Sequence, residues 1–118
     1  MTDWRRSFQM KSKLGSITMC AKAGRLSIGM DMMKDACKSD NAKGVFAASD
    51  ISEKSLKEVR YYCGRYGVKC FSLGMTMDEL STGLGKRTGI LAVTDSGFAK
   101  SIAKGLEEIS IDNEEFMD

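Results

Sequence analysis

The chain has 118 residues, of which 42% are hydrophobic and 29% are charged, and it contains neither histidine nor proline. A chain of this length is expected to form one domain that buries its core without metal or disulfide support. The absence of histidine excludes the Ser-His-Asp triad, Cys/His zinc sites and the commonest general base. The N-terminal residues show no signal-peptide h-region, and no apolar run approaches the roughly 20 residues that span a bilayer, so we expect a cytoplasmic protein with no membrane partner.

The net charge of +2 conceals an uneven distribution of charge. Six of the 16 acidic residues lie between Gly105 and Asp118, where no basic residue occurs, and all 18 Lys and Arg residues precede them. A basic body followed by an acidic tail favours a polyanionic partner. For any single cluster of charges, a solvated surface is the alternative interpretation.

The cysteines favour a structural role. Cys20, Cys37, Cys63 and Cys70 have no C-x-x-C spacing, and each lies within an apolar pattern. We therefore expect small buried side chains and not disulfides, metal ligands or nucleophiles. The sequence predicts no catalytic residue, no cofactor and no metal. A reactive cysteine remains the enzymatic alternative, although no partner base for it is evident.

In chain order, residues 1–11 lack a clear period and are interpreted as an N-terminal extension. A helix follows from about Ser12 to Ala23, where Gly24 can end it in a left-handed conformation. Residues 25–28 alternate and predict a short strand. The apolar arc containing Met30 and Met33 then predicts a half-buried helix, and the run from Gly44 to Ala48 predicts a buried strand.

The second half of the chain continues the alternation of helices and strands. Asp50 and Ser52 offer capping chemistry, and the T-M-D-E run from Thr76 to Glu79 is a capping box. The predicted elements are a helix from Ser52 to Gly67, a strand over 68–73, a helix from Met77 to about Thr82, a strand over 90–93 and a helix capped by Thr94 or Asp95.

This order predicts an α/β fold, a three-layer α-β-α sandwich around a mixed sheet of about four strands. The single domain is expected to span residues 12–106, followed by the acidic C-terminal tail at 107–118.

The glycine-rich run from Gly83 to Gly89 is the first candidate binding site. A P-loop needs four residues between its first glycine and Gly-Lys-Ser/Thr, and it joins a strand to a helix. Here one residue separates Gly83 from Gly85, and the run joins a helix to a strand, so nucleotide hydrolysis is not expected. A loop that approaches a nucleic-acid backbone, with Lys86 and Arg87 as cations, fits better. A mobile basic turn is the alternative.

Two further segments are candidates for contact with an anion. The turn from Ser27 to Asp31 opens a helix, and Gly29 can let a phosphate or a base edge come close; a plain helix cap is the alternative. Lys22 and Arg25 lie at a helix end, where cations also complement the helix dipole.

Four segments together resemble the L7Ae and L30e ribosomal protein superfamily, especially its small bacterial members. They are AKAGRL at 21–26, NAKGVFAASDIS at 41–52, DELSTGLGK at 78–86 and AVTDSGFAKSI at 92–102. The resemblance covers about residues 12–106. It implies an α-β-α sandwich that binds structured RNA, typically kink-turns of ribosomal RNA or of messenger RNA and riboswitches, in translation or in RNA–protein assemblies.

Kink-turn binders of this superfamily carry Gly-Thr-Asn-Glu at the start of the second helix and a lysine one turn later. Aligned with that motif, Gly29 is retained, whereas Met30, Asp31, Met32 and Asp35 take the other four places. An aspartate accepts hydrogen bonds but cannot donate as an amide does. The resemblance therefore implies RNA binding on the same face and leaves kink-turn recognition open.

The resulting hypothesis is a non-enzymatic, monomeric RNA-binding protein, with or without the ribosome as a partner. The alternative is a protein-interaction module on the same fold that has lost RNA binding. The expected RNA-binding residues are Lys22, Arg25, Ser27, Gly29, Asp31, Lys34, Lys86, Arg87 and Thr88.

Overall fold

The computed structural model describes residues 4–111, with side chains from Lys13 onward. Residues 1–3 of the predicted N-terminal extension and residues 112–118 of the predicted acidic tail lie outside it. In chain order the elements are α1 (Trp4–Lys22), β1 (Leu26–Ile28), α2 (Met30–Lys38), β2 (Gly44–Ala47), α3 (Glu53–Tyr66), β3 (Cys70–Ser72), α4 (Met77–Leu84), β4 (Ile90–Val93), α5 (Ser96–Ala103) and β5 (Glu107–Glu108).

The five strands form one mixed sheet in the order β1-β4-β2-β3-β5. Strands β2 and β3 are parallel, and the other neighbouring pairs are antiparallel. As a result, β1, β2 and β3 all run in one direction, and they finish at the end of the sheet where β4 begins. The loops that follow these three strands and the loop that precedes β4 therefore share one end of the sheet.

Helices cover both faces of the sheet, which confirms the predicted three-layer α-β-α sandwich. Side chains alternate between the faces with the strand period of two. Val45 and Ala47 pack with residues of α2 and α3, whereas Phe46 between them packs with residues of α1, α4 and α5. The sheet has one strand more than the approximately four that were predicted.

Local capping chemistry sets the starts of three helices. Ser52 accepts from the amide of Ser55 at the start of α3, and Asp95 accepts from the amide of Phe98 at the start of α5. The predicted capping box of α4 is also present. Such caps typically stabilise by about 1 kcal/mol each. Asp50 differs from expectation, because its Oδ1 accepts from the amide of Met77 and so caps α4, not α3.

Two boundaries differ from those predicted. Helix α1 begins at Trp4 and not near Ser12, because residues 4–14 contain no glycine or proline that would interrupt a helix even though their apolar period is weak. The predicted tail begins inside the sheet, since Glu107 and Glu108 pair with β3 and the amide of Ile109 donates to the carbonyl of Cys70. A two-residue edge strand of exposed glutamates has no apolar pattern from which to predict it.

The glycine-rich run is shorter than expected because Gly83 belongs to α4. The helix ends at Leu84, and Gly85 caps it in the left-handed region with φ of 76°. A Cβ on Gly83 would lie 3.0 Å from Leu14 Cδ2 and 3.3 Å from Thr18 Oγ1 of α1. Gly83 therefore allows the close packing of α4 on α1, and the loop proper covers residues 85–89.

All four cysteines are buried free thiols, as the sequence predicted. Burial, together with the nearby Asp95 carboxylate, raises the pKa of the Cys20 thiol to about 11. Hydrogen bonds to Cys37 and Cys70, together with burial, raise the pKa of the Cys63 thiol. Among the described helices, none has both the length and the apolar character that crossing a membrane takes.

All four thiols are buried, which excludes the reagent, so they are expected to be unreactive in the folded protein at pH 8, although a hydrogen bond with Cys63 lowers the pKa of the Cys37 thiol. A thiol whose pKa is raised is protonated at that pH, and only the thiolate attacks an aromatic disulfide reagent. Titration with such a reagent should therefore show slow labelling that accelerates sharply in denaturant. Rapid labelling of one cysteine in the native protein would contradict this expectation and would favour the enzymatic alternative.

Candidate nucleic-acid interface

Four chain segments meet at the end of the sheet where β1, β2 and β3 finish. We call this end the glycine rim and define it as Gly29 and residues 48–52, 74–76 and 85–89. Backbone hydrogen bonds join the segments in sequence across the sheet, from Gly29 N to Ile90 O, from Ala48 N to Gly89 O and from Ser49 N to Met75 O, all between 2.8 and 2.9 Å. The two predicted glycine turns are thus brought together.

The start of α2 is the open helix terminus of this rim. Gly29 adopts φ of 100° and ψ of 164° and supplies no side-chain cap, unlike Ser52 on α3 and Thr76 on α4. The first helical hydrogen bond runs from Met33 N to Gly29 O. Amides in the first turn of a helix point out along its axis, where the dipole favours negative charge. The rim therefore offers a backbone surface suited to a phosphate or a base edge.

Thr88 lies at this site but supports the turn instead of facing outward. Its side chain is buried, with 9% exposed. Its hydroxyl donates to Ile90 O at 3.3 Å, and that same carbonyl accepts from the amide of Gly29. Thr88 thus holds the loop before β4 against the start of α2.

Two exposed cations project from the loop of the rim. Lys86 has no ion pair with any residue between 13 and 111. Arg87 Nη1 lies 3.1 Å from Asp78 Oδ1, and both side chains are more than half exposed. An exposed ion pair of this kind contributes about 0–1 kcal/mol, so a phosphate can compete for the guanidinium.

Lys34 is turned away from the rim. Its Nζ lies 3.8 Å from Glu58 Oε2 and 5.3 Å from the ring centre of Tyr62, both on α3. Of the predicted residues on α2, only Asp31 is exposed at the first turn. Lys34 therefore contributes to the packing of α2 on α3 and is not positioned beside Gly29.

The structure also separates Lys22 and Arg25 from the glycine rim. Arg25 precedes β1, and its carbonyl accepts from the amide of Thr94, which follows β4. Gly29 of the rim lies at the other end of these two strands, four residues from Arg25 along β1, which is about 13 Å. Ser27 lies between the two ends, opposite Ala92 in the sheet. The predicted grouping of these cations beside the glycine turns was wrong, because the length of β1 lies between them.

The rim carries carboxylates as well as cations. Acidic residues occupy the first turns of α2, α3 and α4, which are Asp31, Glu53, Asp78 and Glu79. Met32 was missed as a surface residue, and its side chain is 52% exposed in the first turn of α2. The sequence signal for this exposure was its position outside the apolar arc of α2, which contains Met30 and Met33. A thioether at that position can pack against a base or an apolar side chain.

The rim offers no evident metal chemistry. Between residues 4 and 111, no three Cys, Asp or Glu side chains converge closely enough to hold a metal ion. Its recognition chemistry comes from backbone amides, the two loop cations, Asp31 and Met32.

The chain is thus a three-layer α-β-α sandwich in which the uncapped start of the second helix lies beside a basic loop. The model of the family described as "Ribosomal protein L7Ae/L30e/S12e/Gadd45 family" matches residues 12–103. The chain belongs to this family, as its sequence motifs indicated.

Individual relatives agree with this placement. The protein is similar to "RNA-binding protein YlxQ" of Enterococcus faecium, with 32% identity over 91 residues that cover 77% of this chain and 87% of the relative. It is also similar to the solved structure of "a protein with unknown function from Bacillus halodurans C", with a TM-score of 0.73 and 24% identity over 78% of this chain and 93% of the other. The second likeness concerns the fold alone.

Proposed function

We propose that this protein binds structured RNA, without catalysis, through its glycine rim. The observation that carries the proposal is the shared Ile90 carbonyl, which holds the open start of α2 and the Lys86–Arg87 loop side by side. Backbone donors can then receive a phosphate or base edge while the cations face neighbouring phosphates. The likeness to an RNA-binding relative supports the same partner.

The motif positions bear on which RNA is recognised. Asp31 is exposed and can accept from a guanine amino group, whereas Met32 offers only apolar contact. Neither side chain reproduces the donors of the typical kink-turn motif. We therefore propose recognition mainly through phosphates and RNA shape. The candidate targets are ribosomal RNA and a messenger RNA kink-turn. The protein would act as a monomer in the cytoplasm, in translation.

The rim cations provide the test of this function. Replacing Lys86 and Arg87 by Ala should weaken binding roughly tenfold at 0.1 M salt and reduce the slope of log affinity against log salt by about 2, because two phosphate contacts are lost. Fluorescence anisotropy measures the affinity and its salt dependence, with a kink-turn RNA and with a straight duplex of equal length. The difference in affinity between the two RNAs reports the preference for kink-turns.

The matched control replaces two exposed lysines outside the rim, Lys57 and Lys100, by Ala. It changes the net charge equally and should shift affinity far less. If the rim variant binds both RNAs as tightly as the wild type does, the rim is not the RNA site.

A protein partner is the second candidate, and the exposed Met32 beside the first-turn carboxylates favours it. The immobilised wild-type chain should then capture the same partner protein before and after nuclease treatment, whereas the Met32→Glu variant should not. That result would support this function over RNA binding.

A further inference from the structure

The end of the sheet opposite the glycine rim is rich in cations. We call it the basic end and define it by six residues. Three directly precede strands, and three lie in the last turns of helices. They are Arg25, Lys43 and Lys69 before β1, β2 and β3, and Lys22, Lys38 and Arg65 at the ends of α1, α2 and α3.

The three cations before the strands form a row across the sheet. In the register of β1 with β4 and of β2 with β4, Arg25 and Lys43 lie on either side of Thr94. Lys69 is adjacent to the start of β2, since its carbonyl accepts from the amide of Val45. With strands about 4.8 Å apart, the row is about 14 Å long. Phosphates of one nucleic-acid strand repeat every few ångströms, so a strand that runs along this end of the sheet can pass close to all three positions.

The charges at the basic end are available to a partner. All six side chains are exposed, and none forms an ion pair with another residue in the part of the chain from 13 to 111. Two carboxylates of the described part of the chain, Asp40 and Asp95, lie in the same turns. Asp40 lies in the turn between α2 and β2, and the Asp95 carboxylate is engaged in accepting from the amide of Phe98.

Helix electrostatics accounts for only half of this cluster. Cations in the last turn of a helix complement the negative end of its dipole, which explains Lys22, Lys38 and Arg65 without a partner. The residues that precede the strands do not lie at a helix end, so they cannot complement a helix dipole in this way. Arg25, Lys43 and Lys69 are therefore the part of the cluster for which a bound polyanion gives a reason.

We propose that the basic end is a second RNA-binding surface, which holds the phosphates of an RNA segment separate from the one at the glycine rim. The proposal rests on the proposed function, because it gives the same partner a second surface. The two surfaces lie at opposite ends of the sheet, with about 13 Å between Arg25 and Gly29 along β1, so an RNA that reaches both must bend around the sandwich or present two separate segments. Contacts there are electrostatic and carry no base sequence information.

The test removes the row and leaves the rim intact. Replacing Arg25, Lys43 and Lys69 by Gln should weaken binding of a structured RNA of about 60 nucleotides roughly tenfold and reduce the salt slope by 2 to 3. The affinity of the same variant for a 12-base-pair hairpin, which is expected to occupy only the rim, should change much less. The matched control, Lys57→Gln with Lys100→Gln and Lys104→Gln, removes the same charge elsewhere, and circular dichroism verifies that all variants are folded.

The outcomes separate this proposal from the proposed function. Equal affinities of the row variant and its control would overturn the second surface, while an effect of the rim variant would still support RNA binding at the rim. Loss of binding in the row variant alone would support the basic end and overturn the rim. Failure of the wild-type chain to bind either RNA would overturn both.

A measurement on the unaltered protein gives an independent check. Acetylation of lysines with and without the long RNA, followed by mass spectrometry, should show protection of Lys43 and Lys69 by at least about threefold, with Lys57 and Lys100 unchanged. Equal modification of all four lysines with RNA present would overturn the proposal. Protection by an acidic protein that persists after nuclease treatment, without protection by RNA, would also overturn it.

Discussion

Replacing Gly29 by alanine should destabilise the protein by about 1–3 kcal/mol, although a Cβ at this position would meet no atom within 4 Å. The cost arises in the backbone. With φ of 100° and ψ of 164°, Gly29 occupies a region that is essentially restricted to glycine. Equilibrium unfolding in urea, followed by circular dichroism, measures the change in the free energy of unfolding.

Gly15 provides the matched control for this experiment. It lies exposed in α1 with an ordinary helical backbone and open space around the position of a Cβ. Alanine there should stabilise by about 0.5–1 kcal/mol, because glycine is a poor helix former. Equal and small effects at both positions would show that the turn before α2 tolerates a side chain. In that case, the requirement for glycine would have to come from a bound partner.

Replacing Gly89 by alanine should cost about 1–3 kcal/mol for the opposite reason. Its φ is not in the positive region, but a Cβ would lie 2.6 Å from Ile51 Cγ2 and 3.0 Å from Met77 Sδ. Met77 is flexible, whereas the Cγ2 of Ile51 is fixed close to its own backbone. The loop before β4 must therefore move, and both stability and RNA affinity should fall.

A double-mutant cycle with Ile51→Ala tests this explanation. Removing Ile51 Cγ2 makes room for the new methyl group, so the double variant should be more stable than the sum of the two single changes predicts by about 0.5–1 kcal/mol or more. Strict additivity would show that the clash is not with Ile51.

Elements with a complete local signal could be predicted from the sequence. The capping box from Thr76 to Glu79 fixes the start of α4 through hydrogen bonds within four residues. The run from Ile90 to Val93 forms β4 with the predicted bounds, because every residue in it is buried. Family membership agrees with the sequence resemblance over nearly the same residues.

Elements whose cause lies elsewhere in the chain could not be predicted. Glu107 and Glu108 become a strand only because β3 has a free edge to pair with. Gly83 could not be distinguished from a loop residue, because its reason for being glycine is the side chain of Leu14, 69 positions earlier. Thr88 looked like a contact residue until the backbone of Ile90 accounted for its hydroxyl.

The predicted grouping of the cations differs from the structure where distance along a strand matters. Lys22 and Arg25 are close to Gly29 in the sequence, but β1 is extended and carries them to the other end of the sheet. The directions of the helices then account for the distribution of charge. Since α2, α3 and α4 all begin at the glycine rim, first-turn acids collect there and last-turn cations of α2 and α3 collect at the opposite end.

Strand β5 bears on where the chain can be shortened. Truncation after Leu106 would uncover the backbone of β3 beside the half-buried ring of Phe71, and an unprotected strand edge invites association between molecules. It would also remove Ile109 and Ile111 from the core and the Ser110 carbonyl from Arg60. A form that ends after Ile111 keeps these contacts.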